Sequence, residues 1–290
     1  MARLLDKVLI DPKVPYSLKT DGNLELVFYG VGSMFAERPL RQTGFLLCKG
    51  DTHIMVDAGR TAPEALVDAT GVKFTDIQVM LPTHSHPDHV NAIGEWLTWY
   101  RYIGIPFLKR PRPITIIGET YMPILWNETL RGGVKYNERI EDGRKYLNFG
   151  DMTDFIIPKF KVFQPREVLE VDFGGIHLEL FRTVHVPDSS GGWEDSFISY
   201  GLVVDDHLFI SGDTRFDRGL LQMYERQSSA MFCDVQFYPA GVHAPLNDYR
   251  GLPGFVKEKT YFIHYSNDYH RHDIPEFGGW AKQGVRYIFG

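Results

Sequence analysis

Short apolar runs, each closed by glycine, proline or aspartate, recur along this chain, and their spacing predicts strands more often than long helices. Strands are expected at 24–27, 44–48, 53–56 and 77–81, with a helix at 62–70. The second half repeats the theme with strands at 162–163, 168–171, 176–180, 197–204 and 208–211. A helix over 219–227 and strands at 235–237 and 261–263 follow. Short strands with interspersed helices, in two similar halves, predict an α/β protein of two packed sheets flanked by helices. No low-complexity linker divides the chain, so residues 1–290 read as one domain. The stretch from 100 to 161 is the least patterned, with a strand expected at 114–117 and a helix at 121–130.

The pattern breaks sharply at Thr83-His84-Ser85-His86-Pro87-Asp88-His89, between the strand at 77–81 and a helical pattern beginning at Val90. Three histidines and a carboxylate on one strand-to-helix turn are the ligand types that borderline metals such as zinc prefer. His84 and His86, one residue apart, suit a first ion; Asp88 and His89 can reach a second. Each ion needs further ligands from elsewhere. Three later positions have the right form, an acid or histidine at a strand end beside small or turn residues: His185, Asp213 and His264. Asp213 follows an apolar strand and Ser211-Gly212, which would bring its carboxylate out at the sheet edge.

These residues resemble the metallo-β-lactamase fold superfamily, and within it the ribonuclease Z-like and phosphodiesterase branch. The resemblance rests on Asp57 in Val56-Asp57-Ala58-Gly59, the His84-x-His86-x-Asp88-His89 cluster, His185, Ser211-Gly212-Asp213-Thr214 and His264, in the family's order. Phe28-Tyr29-Gly30-Val31-Gly32-Ser33 also resembles that branch's opening strand and glycine turn. It implies an αββα four-layer sandwich of two mixed β-sheets flanked by helices. It further implies two divalent metal ions, zinc or manganese: one held by His84, His86 and His185, the other by Asp88, His89 and His264, with Asp213 bridging. Asp57 would stand behind a ligating imidazole and fix its tautomer. Asp88 and His243 are the catalytic candidates, His243 as general acid or phosphate contact from a turn-rich loop; an ordinary loop histidine is the competing reading.

Composition limits the function. The chain has 43% hydrophobic and 23% charged residues, enough for one large core, and no apolar run of membrane-spanning length. Charges among its first seven residues leave no apolar signal segment, so a cytoplasmic enzyme is expected. Cys48 and Cys233 read as reduced core residues. A net charge of −6 disfavours stable nucleic-acid binding. The basic run Lys109, Arg110, Arg112 reads as a solvated loop or, alternatively, an anion contact. The loop 187–193 places Trp193 either over a planar substrate group or in simple packing. Trp96, Trp99, Tyr100 and Tyr102 read mostly as core, and His53, His177 and His207 as structural; His270 and His272 are accessory candidates.

The leading expectation is a metal-dependent hydrolase, a phosphodiesterase cleaving a small nucleotide-type diester, cyclic nucleotides included; a homodimer is open. The alternatives are an acyl substrate (lactone, thioester or β-lactam), transfer-RNA 3′ processing, and a binding protein with a dead site. Aspartate at 213 disfavours β-lactams, for which the resemblance implies cysteine at the bridging position. Transfer RNA is disfavoured because this chain lacks both the long Gly/Lys-rich arm and the His-Glu pair near Gln236 that the resemblance implies for the transfer-RNA processing members. A full complement of expected ligands disfavours the dead site.

Overall fold

The computed structural model of the protein describes residues 3–138 and 144–290. Among these, two mixed sheets of eight strands pack against each other between flanking helices. The first sheet runs, in spatial order, Leu4–Leu9, Val285–Phe289, Leu24–Gly30, Gly44–Lys49, Thr52–Val56, Val79–Leu81, Ile114–Ile116 and Asp154–Ile156. The second runs Gly279–Trp280, Thr260–Ile263, Ala230–Asp234, Leu208–Ile210, Tyr200–Val204, Ile176–Arg182, Val168–Phe173 and Lys159–Val162.

Each sheet has an antiparallel half and a parallel half. In the first, pairing is antiparallel up to Thr52–Val56 and parallel beyond it. In the second, the strands from Leu208–Ile210 to Gly279–Trp280 are parallel and the rest antiparallel. Parallel strands need cover on both faces and read as continuous apolar runs; Leu208–Ile210, Ala230–Asp234 and Thr260–Ile263 are buried throughout. Their carboxyl ends open onto loops at one edge, where α/β sheets commonly bind ligands.

Aromatic packing locks the sheets face to face. Phe232 of the second sheet contacts Phe28 and Tyr287 of the first, at centroid distances of 5.1 and 5.0 Å. It also stacks on Tyr261 at 5.2 Å. On an outer face, helix Arg218–Tyr224 lays Tyr224 over Phe181 and Phe209. Its start is fixed by the Asp217 side chain, which accepts from the Leu220 N–H at 2.9 Å. No helix among the described residues is long and apolar enough to cross a membrane.

Several boundaries move. The strand expected at 235–237 is Ala230–Asp234; the chain leaves the sheet at Asp234, whose side chain is drawn into the loop edge, and Gln236 keeps only a single bridge to Pro245. The strand expected from 197 begins at Tyr200, and of 162–163 only Val162 is strand, closing Lys159–Val162 while Phe163 lies outside it. The helix expected at 121–130 runs from Met122 to Val134 with a wide π turn at Leu125–Leu130. Strands Leu4–Leu9 and Val285–Phe289 pair with each other outside the expected set.

Because Phe232 is fully buried and bridges both sheets, Phe232→Ala should cost about 3–5 kcal/mol. Urea unfolding should show a lower midpoint at constant slope; a loss below about 1 kcal/mol would mean that the inter-sheet packing is not cooperative there.

Candidate metal centre

Six segments deliver the site, all from the same sheet edge. Strand Val79–Leu81 ends in the turn carrying His84 and His86, and Pro87 opens the short helix Pro87–Val90 that carries Asp88 and His89. Strand Leu208–Ile210 passes through Gly212, whose φ is +61°, to Asp213; a side chain at 212 would strike the Tyr200 carbonyl. Strands Thr52–Val56 and Thr260–Ile263 end in Asp57 and His264, with φ of +62° and +57°. Such left-handed backbone is unfavourable for residues other than glycine and collects at functional sites. His185 lies three residues past Ile176–Arg182, and Asp234 closes Ala230–Asp234.

The seven expected residues converge as two groups that share Asp213. His84, His86, His185 and Asp213 form one, and Asp88, His89, Asp213 and His264 the other; within each, the ligand atoms lie within 4.8 Å of one another. Asp213 Oδ2 is central, 3.3 Å from His89 Nε2, 3.4 Å from His264 Nε2, 3.7 Å from His185 Nε2 and 3.8 Å from His84 Nε2. His84 Nε2, His89 Nε2, Asp88 Oδ1 and Asp213 Oδ2 are buried without a hydrogen-bond partner. An unpaired buried polar atom costs about 1–3 kcal/mol, and four of them within two clustered imidazole and carboxylate groups fit divalent cations.

The opposite atom of most of these imidazoles is already engaged, which fixes its orientation. His89 Nδ1 lies 2.7 Å from Asp57 Oδ2, His185 Nδ1 donates to the Val242 carbonyl at 2.9 Å, and His84 Nδ1 meets Thr83 Oγ1 at 3.0 Å. Asp57 in turn accepts from the Thr83 N–H and hydroxyl at 2.7 and 2.9 Å. Its turn is pressed onto the ligand helix, with the Ala58 N–H donating to the His89 carbonyl at 2.6 Å. A Cβ at Gly59 would overlap the Asp88 carbonyl, so glycine is required at this close approach.

Electrostatics divides the histidines. Burial lowers His84 well below the ordinary value, with His89 adding to it, and brings His185 to about 4. His89 and His264 go the other way: burial opposes their charge, but Asp213 and neighbouring carboxylates raise both well above it. Asp213 is held well below the carboxylate range, burial being outweighed by His264 and His89.

Asp234 was not singled out in the sequence. It is fully buried, and its Oδ2 accepts from the Thr214 N–H at 3.0 Å and lies 2.7 Å from His243 Nδ1. Its Oδ1 lies 3.5 Å from His264 Nδ1, long for a hydrogen bond. A carboxylate therefore stands two residues before Gln236, where the sequence suggested none. His243 sits 5.0 Å from the His185 ring and 4.7 Å from that of His264. With His86 it is half-buried, and these two imidazoles mark the open side of the centre. The detectable signal was an acid ending a buried apolar run, the form that also identified Asp213.

Other candidates lie elsewhere. Trp193 is packed: its Nε1 donates to the Pro165 carbonyl at 3.1 Å and its ring meets Phe163. Arg110 and Arg112 pair with Asp76 and Asp154 on the surface. His272 stacks on Phe237, His270 meets the Asn267 carbonyl, and His53 accepts from the Gln78 N–H. Trp96 and Tyr100 are core residues, while Trp99 and Tyr102 are half-buried.

Comparison with known proteins agrees with this geometry. The profile of the family described as "Anti-Pycsar protein Apyc1" matches residues 24–287. A protein of that name from Paenibacillus harenae is 30% identical over 240 residues, covering 82% of this chain and 88% of its own. Among solved structures, the metallo-β-lactamase fold protein YhfI from Bacillus subtilis superposes with a TM-score of 0.65 at 14% identity, covering 92% of this chain and 99% of its own. A diphosphatase of the PhnP family gives 0.62 at 13% identity, covering 92% and 97%. The fold is thus that of the metallo-β-lactamases, as the sequence implied.

Since His89 and His264 hold protons that a cation must displace, loading with zinc should release protons and weaken as pH falls. Calorimetry in buffers of different ionisation enthalpy should reveal this release, and a buffer-independent enthalpy would contradict it. Asp57→Asn should weaken metal affinity about 10–100-fold.

Proposed function

The chain belongs to the anti-Pycsar Apyc1 family, and on that footing we propose that it is a dinuclear metal-dependent phosphodiesterase that hydrolyses a cyclic nucleotide. The observation that carries this reading is Asp213 Oδ2, central to two ligand groups, with the His243–Asp234 pair beside them. His84, His86 and His185 would hold one ion, Asp88, His89 and His264 the other, and Asp213 both. When bound, two such ions supply Lewis acidity and a water acidified towards neutrality.

The chain's own groups supply the rest. Asp57, Thr83 and the Val242 carbonyl hold the ligand imidazoles in one tautomer. Asp88 is almost fully buried and keeps Oδ1 free, so it serves as a ligand and as a fixed negative charge at the reacting centre. His243 is opposed by burial but raised above its ordinary value by the Asp234 carboxylate at 2.7 Å. It would present a protonated Nε2 on the open side and give that proton to the leaving alkoxide. As the P–O ester bond breaks, the hydroxyl from water stays on phosphorus and the ring oxygen leaves as an alcohol. Asp234 acts through His243, as a positioning residue.

The net charge of −6 opposes a long polyanion and supports a small diester as substrate.

Turnover should require metal and stop on chelation. Cyclic nucleotides should be cleaved, with precursor transfer RNA and β-lactams inert; efficient cleavage of either of those with inert diesters would overturn the assignment. His243→Ala should slow cyclic nucleotides by about 10²–10⁴-fold while nitrophenyl diesters, whose leaving group needs no acid, lose far less. Asp234→Asn should follow His243→Ala and move the alkaline limb of the pH profile to lower pH, because the carboxylate that holds the His243 proton is lost. Equal losses on both substrate types would assign the pair to binding.

A further inference from the structure

A cavity of about 370 Å³ lies behind the metal centre, lined among others by Arg166, Val184, Gly192, Trp193, Arg215 and Arg218. It shares a wall with the site: Val184 lines it while His185, next in the chain, belongs to the metal group, and the Arg215 N–H donates to the Val184 carbonyl at 2.7 Å. Charge around it is unbalanced. Arg166 pairs with Asp217, and Arg218 with Glu225. Arg182, which stacks behind the Trp193 ring, and Arg215 bind only backbone carbonyls, those of Trp193, Ser196, Asp188 and Ser190. Neither has an ion-pair partner among the described residues. Asp195, the nearby carboxylate, is engaged by the Gly191 and Gly192 N–H groups.

Arg166 and Arg182 are more than nine-tenths buried, and the Nε atoms of Arg166, Arg182 and Arg215 have no partner. Buried guanidinium without a carboxylate is costly, and planar forks of this kind suit phosphate. Arg215 on the wall and Arg182 behind Trp193 form no ion pair among the described residues, although Asp195 and Glu167 lie within their field. Two such guanidinium groups suit a phosphomonoester, which carries about −1.5 to −2 at neutral pH, better than a diester with a single charge. We propose that this cavity binds a phosphomonoester dianion, and that its ligand is the linear nucleotide formed at the adjacent centre. The site stands on these residues alone; the ligand's identity rests on the cyclic-nucleotide reading above.

The test is calorimetric titration of the metal-loaded protein with inorganic phosphate, adenosine monophosphate and a hydrolysis-resistant cyclic adenosine phosphorothioate. It is run on the wild type, Arg215→Gln and Gly192→Leu. Gly192 lines the cavity and a Cβ there meets open space, so leucine adds bulk at the wall without removing a charge. The wild type should show a monophosphate site that both variants weaken at least about tenfold and that the cyclic nucleotide does not occupy. Binding unchanged in both variants overturns the site. Variant-sensitive binding of inorganic phosphate without the nucleotide keeps the site and overturns its ligand. A protein inert towards cyclic nucleotides that still binds phosphate through Arg215 overturns the functional reading and leaves the site standing.

Discussion

The structure depends on one carboxylate oxygen. Asp213 Oδ2 sits within 3.8 Å of four imidazole nitrogens delivered by three separate segments. None of those groups would be tolerated in an apolar interior alone, because each leaves a lone pair or proton unmatched. Their burial is sustainable only as a set. Much of the surrounding architecture keeps that set in register, from the positive φ at Asp57 and His264 to the glycine at 59 that lets the ligand helix close in.

The two-sheet plan serves this convergence. The parallel half of each sheet sends its chain ends to the same edge, so the first contributes Asp57 and the His84–His89 turn, while the second contributes Asp213, Asp234 and His264. His185 arrives from the antiparallel half. Phe232, Phe28 and Tyr287 hold the two edges at a fixed separation, which sets the distance between the ligands of one sheet and those of the other.

Much of this was legible in the sequence because it is local. Ligands packed into Thr83–His89 declare themselves by composition, and Asp213 by the turn that precedes it. Asp234 carries the same acid-after-apolar-run form as Asp213 but is masked: its partner His243 lies nine residues on, and its strand reads equally well three residues later, since Val235 and Phe237 continue the apolar run. The terminal strands were missed for another reason. Leu4–Leu9 is mostly exposed and only pairing with Val285–Phe289, at the far end of the chain, makes it a strand. The helix at Met122–Val134 outran its expected length because a π turn carries it past Leu130 despite Gly132 and Gly133. Trp193 shows the limit of reading aromatics by neighbourhood, since a glycine-rich loop beside a ligand still folded its ring inward.

The ligand groups also span the chain from His84 to His264, with contacts between distant residues that form late because they close long loops. A partly synthesised or partly folded chain therefore offers the local histidine cluster but not the enclosing set. If the proposed centre binds its ions, tight metal capture would report completed folding.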